Sequence, residues 1–264
     1  MKRKLTLVAT LILFTLPFQQ CNMKTVSALL GDKPLSESEV IEGLKRALSI
    51  GSEKTVEILA KPGGYLNDAA IKILLPPEAA NVIDELQKAP GGPQIYKNAL
   101  EPTVNDLVKA LNSSAEEAAK EALPVFKETV TNMSISDAFS ILKGEYKSAG
   151  SVSATRYFQD NTTGKLTDLY KPKVNNALNK PLVSHQSANA IWNKFVAGYD
   201  QVASSPANLL LRLQKIQEPD LSAYVTKKAL DGMFNKIAIE EQRIRQNPTL
   251  YTDNIIRRVF GSQN

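Results

Sequence analysis

The chain has 264 residues and a formal net charge of +5, long enough to bury a sizeable core in one large domain or two small ones. A hydrophobic share of 43% and a charged share of 22% exclude a disordered chain. The single cysteine, Cys21, and single histidine, His185, exclude an intrachain disulfide, zinc ribbons, HExxH metalloproteases and di-iron bundles with two ExxH motifs.

Lys2-Arg3-Lys4 form a positive n-region, and Leu5 to Leu16 an apolar h-region ended by Pro17. About a dozen apolar residues are too few to cross a membrane, which takes about 20, but match a secretory signal peptide. Removing the leader leaves about 29 basic and 27 acidic residues, roughly +2, so the basicity belongs largely to the export signal. No later Lys/Arg run is interleaved with aromatics, and no nucleic-acid partner is expected. Cys21 follows the h-region where lipoprotein processing would acylate it, although Phe18, Gln19 and Gln20 depart from the small residues of a strict lipobox. Cleavage after Val26-Ser27-Ala28 is the other route, and it would discard the cysteine. The expected organisation is a signal peptide over 1–21, a flexible tether over 22–35 and an all-α domain of eight to ten helices over 36–264. The expected place is the periplasm, anchored to the outer membrane by the lipid.

From residue 36 onward apolar residues recur at threes and fours, and strand-like alternation is scarce. Ser36 and Glu39 form a capping box before a helix running to Ala60, with Gly51 inside it. Lys61-Pro62-Gly63-Gly64 stops that helix, and Tyr65–Leu75 reads as a short connection. Pro77 suits the first turn of a second helix over Glu78–Lys88, and Pro90-Gly91-Gly92-Pro93 is the strongest turn cluster. A long helical region follows, roughly Ile95–Asn132, with Pro102 and Pro124 as candidate breaks. Ser134 and Asp137 open a helix to Leu142, stopped by Gly144. Helices are then predicted over Ser151–Asn161, Lys165–Leu178 and Ser187–Val202, with Ser204-Ser205-Pro206 as a linker. Asp220 opens a helix whose apolar stripe holds Leu221, Tyr224, Val225, Leu230, Met233, Phe234, Ile237 and Ile244; Asn247-Pro248 ends it. The last helix spans about Thr252–Phe260, with Arg257 and Arg258 in its final turn.

None of the candidate sites carries a catalytic motif. Ser184 and His185 are adjacent, which does not make a dyad, and no GxSxG elbow exists. Lys61-Pro-Gly-Gly lacks the GxxxxGK[ST] order of a phosphate loop. Glu116-Glu117 and Glu240-Glu241 point about 100° apart on a helix, which favours solvated faces, with Glu241 and Arg245 as a surface pair at i and i+4. Asp231 lies inside the apolar stripe and needs a donor, for which Arg243 and Arg245 are candidates; Asp231, Glu240, Glu241, Arg243 and Arg245 thus make a candidate polar cluster. Trp192, Phe195 and Tyr199 share a helix face, as core packing or as an apolar groove. No metal site and no cofactor is expected.

The segments Gly43-Leu-Lys-Arg-Ala-Leu-Ser-Ile-Gly, Lys61-Pro-Gly-Gly-Tyr-Leu-Asn, Ile73-Leu-Leu-Pro-Pro-Glu, Ala118-Ala-Lys-Glu-Ala-Leu-Pro-Val-Phe, Met133-Ser-Ile-Ser-Asp-Ala-Phe, Ala154-Thr-Arg-Tyr-Phe, Ala229-Leu-Asp-Gly-Met-Phe, Glu240-Glu-Gln-Arg-Ile-Arg and Val259-Phe-Gly together resemble an uncharacterised bacterial family, domain of unknown function 4197. The resemblance covers nearly all of the chain after the leader. It implies a helical envelope protein, often secreted or lipid-anchored, with no catalytic residues to carry over. The expected function is non-enzymatic binding or scaffolding, with an envelope protein or a lipid as partner. The alternatives are a carrier of lipid or other apolar ligand, and a hydrolase using carboxylates such as Asp231 and Glu240.

Overall fold

The computed structural model describes residues 35–183, 185–206, 208, 213, 216 and 218–261. The leader, Cys21 and the expected tether up to residue 34 lie outside them. The described residues fold as an all-α unit with no strand among them. Its helices are α1 (Glu37–Leu59), α2 (Pro77–Lys88), α3 (Glu101–Ala119), α4 (Ala122–Thr131), α5 (Ile135–Leu142), α6 (Ser153–Leu178), α7 (Ala188–Ala203), α8 (Leu221–Gln246) and α9 (Asn254–Gly261). A single α-turn at Gly92–Ile95 and a π-turn at Tyr96–Leu100 lead into α3.

Local chemistry starts several of these helices. Ser134 Oγ accepts from Asp137 N at 3.0 Å and donates to Asp137 Oδ2 at 2.7 Å. Ser187 accepts from Ala190 N, and Asp220 accepts from Ser222 N and Ala223 N, so α5, α7 and α8 each begin at a side-chain cap.

Among the described residues the two 26-residue helices, α6 and α8, make the largest contact, and α1, α3 and α4 pack around them. Phe126, Phe158 and Phe234 meet there, with centroids 4.9 and 6.4 Å from the Phe126 ring.

Two sequence expectations about boundaries are corrected. The predicted helices Ser151–Asn161 and Lys165–Leu178 are one helix, α6. Phe158, Thr162, Leu166, Tyr170, Val174 and Leu178 are buried at an unbroken spacing of four, and that burial outweighs the roughly 1 kcal/mol cost of Gly164. Pro172 lies on the exposed side of α6. In the region Ile95–Asn132 the break falls at Lys120-Glu121, which puts Pro124 in the first turn of α4 and Pro102 in the first turn of α3.

Candidate functional site

The segment after α1, expected as a plain connection, is built into the core. Gly64 lies so close to the end of α1 that a Cβ there would stand 2.5 Å from the Ile58 and Leu59 carbonyl oxygens. Tyr65 is fully buried, and its hydroxyl donates to the Ala229 carbonyl at 2.9 Å. Burial, with the Glu116 charge nearby, pushes the Tyr65 phenol far above its ordinary pKa. Glu116 on α3 accepts from Tyr65 N and Leu66 N, and Asn112 one turn earlier bonds both Ile73 N (2.9 Å) and Ile73 O (2.8 Å). Gly232 makes room for the segment on α8, since a Cβ there would lie 3.1 Å from both Tyr65 Cε1 and Ile71 Cβ. Glu116, read from the sequence as solvated, is thus a buried structural acceptor, while its neighbour Glu117 pairs with Lys180 at the surface.

The Glu240-Glu241 pair is likewise buried, at 8% and 7% relative exposure, which corrects the expectation of a solvated face. Glu241 accepts from Ala154 N, Thr155 N and Thr155 Oγ1, each at 2.8 Å, at the start of α6. It also pairs with Arg245 at 2.8 Å. Arg245 donates in turn to the Leu142 and Ile141 carbonyls at the end of α5, at 2.9 and 2.7 Å. An acid thus seals a helix start and a base a helix end, each matched to the local dipole. Neighbouring Glu240 points elsewhere, as their 100° separation requires, and accepts from Lys54 (2.7 Å) and Tyr251 (2.6 Å). Burial alone would raise the Glu240 pKa, but those two bonds hold it below the usual carboxylate range. Burial and the bond to Glu240 push the Tyr251 phenol up. Arg243 stands 3.9 Å from Glu240 on the exposed side.

Asp231 does not join this cluster. It is exposed and pairs with Lys227 one turn earlier at 2.8 Å, so neither Arg243 nor Arg245 is its partner. Nine residues at 100° each place Asp231 and Glu240 on opposite sides of α8, about 13 Å apart along its axis. The spacing Phe234, Ile237, Glu241, Ile244 could have revealed the buried carboxylate, because Glu241 falls within the apolar stripe itself.

The aromatic row on α7 is continuous, with centroids 5.2 Å apart for Trp192–Phe195 and 5.7 Å for Phe195–Tyr199. Trp192 is buried and donates to the Pro219 carbonyl at 2.7 Å, whereas Phe195 and Tyr199 are half-buried. His185 is exposed in a turn at φ +62°, its backbone N bonded to Leu182 O; Ser184 lies outside the described residues.

Two surface features stand out among the described residues. Residues 77–106 form an arm in which only Ala79 and Gly92 are buried, while Val82, Ile95 and Leu100 are 41%, 53% and 37% exposed. The arm's first helix, α2, packs chiefly on the turns that follow it. Beside the arm runs a groove of about 550 Å3 between segment 70–77 and the outer face of α8, bounded by Lys72, Leu74, Tyr224, Lys228, Asp231 and Asn235. Tyr224 ties the two walls by donating to the Leu74 and Leu75 carbonyls.

A family model described as a protein of unknown function, DUF4197, matches residues 34–261. The chain belongs to that family. Several segments that carry the DUF4197 resemblance are the ones in contact here: Lys61–Asn67 against Ala229–Phe234, and Ala154–Phe158 against Glu240–Arg245. No curated protein and no solved structure matches the chain.

Proposed function

We propose that this DUF4197 chain is an exported protein of the bacterial envelope, held to a membrane by an acylated Cys21, that works by binding or scaffolding. The arm carries the binding part of the reading: over residues 77–106 the chain turns Val82, Ile95 and Leu100 toward water and buries almost nothing. Removing such surface from water favours association by about 25 cal/mol per Å2. The positive, apolar leader and Cys21 just behind it carry the envelope address.

The competing readings have less to stand on. Glu116, Glu240 and Glu241 are occupied as acceptors that hold helices and a loop, and Asp231 and Glu240 diverge, whereas a hydrolase built on a carboxylate pair needs both in one cleft. A carrier needs an interior pocket of several hundred Å3. The cavity between α1, α6 and α8 measures about 20 Å3, room for one water, and the groove of about 550 Å3 beside the arm is an open surface feature rather than an interior pocket.

The test places a photo-crosslinking residue at Val82 or Ile95 in cells, with and without Cys21→Ser. A protein adduct from both positions is expected, with the Cys21→Ser chain released to the soluble fraction. Unchanged fractionation removes the lipid anchor. Adducts to lipid alone, or none, remove the protein-binding reading.

A further inference from the structure

We infer that the arm's partner is a second copy of this chain, each arm lying in the other's groove; this rests on reading the arm as an interaction surface. The argument is complementarity of charge and pattern. The arm carries five carboxylates (Glu78, Asp84, Glu85, Glu101, Asp106) against two lysines (Lys88, Lys97), a net charge of −3 over residues 77–106. On α2, Glu78 and Glu85 stand four residues before and three after Val82, so exposed Val82 is flanked by acids on one helix face, with Glu85 also paired to Lys88 at 2.7 Å on the surface.

The groove presents the inverse. In segment 71–74, Ile71 and Ile73 are buried while Lys72 and Leu74 are exposed. Leu74 is 59% exposed and lines the groove together with Lys72 on its own segment and Lys228 on α8. Among the described residues neither lysine has a carboxylate partner, although most lysines around the body do. Lys228 is held over the Tyr224 ring, 5.9 Å from its centroid, which keeps its charge at the groove wall. An arm of net charge −3 thus faces a groove whose charged lining is Lys72, Lys228 and Asp231, the last already paired with Lys227.

Contiguity selects the symmetry. Pro77 and Ala80 line the groove and belong to α2, so every copy displays arm and groove side by side. A two-fold axis then satisfies both surfaces at once and closes the assembly.

The experiment is native mass spectrometry of the full chain extracted from its own envelope, with charge reversals Glu85→Lys and Lys228→Glu, alone and together. Both side chains are exposed, and circular dichroism checks that the variants fold. A dimer is expected for the parent. Each reversal creates two like-charge contacts by symmetry and should raise the dimer dissociation constant about tenfold, and the double reversal should restore it. A monomeric parent, single variants that dimerise like the parent, or a double variant no better than the singles each overturn the inference. A parent that is monomeric toward itself but crosslinks from Val82 to another protein overturns the second copy and leaves the scaffold reading standing. A chain that crosslinks to no protein overturns both.

Discussion

Replacing Glu241 with Gln tests whether the α8 pair with Arg245 holds α5 and α6 in place. The side chain is 6% exposed, and its two oxygens receive two backbone N–H groups, one hydroxyl and the Arg245 guanidinium. Glutamine keeps the shape but turns one oxygen into a donor facing donors, and removes the charge that balances Arg245. Breaking one side of a buried ion pair costs about 3–5 kcal/mol. Arg245 keeps its bonds to the Ile141 and Leu142 carbonyls, which places the expected cost near the lower end, about 3 kcal/mol. With a urea slope of about 2 kcal/mol per M, the unfolding midpoint falls by about 1.5 M. Urea unfolding followed by circular dichroism measures the shift, and the cycle with Arg245→Met should show a coupling of about 1–3 kcal/mol. A loss below about 1 kcal/mol, or the two substitutions adding within about 0.5 kcal/mol, would refute the seal.

Two further outcomes follow from the same physics. Asn112→Ala strands the buried N–H and C=O of Ile73 and should cost about 2–4 kcal/mol, with faster amide exchange in 70–77; exchange unchanged there would show that Asn112 does not clamp the segment. Glu240 has a folded pKa below its unfolded value, so its contribution is complete above the usual 4.5 and is lost as pH falls through the folded value. Lys54→Met should therefore lower stability at pH 7 and lose that difference from the parent as pH drops below about 4.5; an equal difference at pH 3 and pH 7 contradicts the assignment.

Helix positions were largely legible because their signals are local. Ser134 with Asp137, and Asp220 ahead of Leu221, satisfy backbone N–H groups within a few residues, and Asn247-Pro248 stops α8 by the same short-range rule. The run 151–178 misled because Gly164 and Pro172 are local breakers, while the burial that overrides them comes from α3, α4 and α8.

Local pattern therefore determined the all-α class, most helix ends and the family. Tertiary structure alone decided what the polar residues do. Glu241 meets Ala154 across 87 residues, Asn112 meets Ile73 across 39, and Tyr65 meets Ala229 across 164. A carboxylate on a helix reads the same in sequence whether it faces water or a second helix's free N–H groups. Only the packing of distant segments removes the water and makes that difference, as it did for exposed Asp231 and buried Glu241.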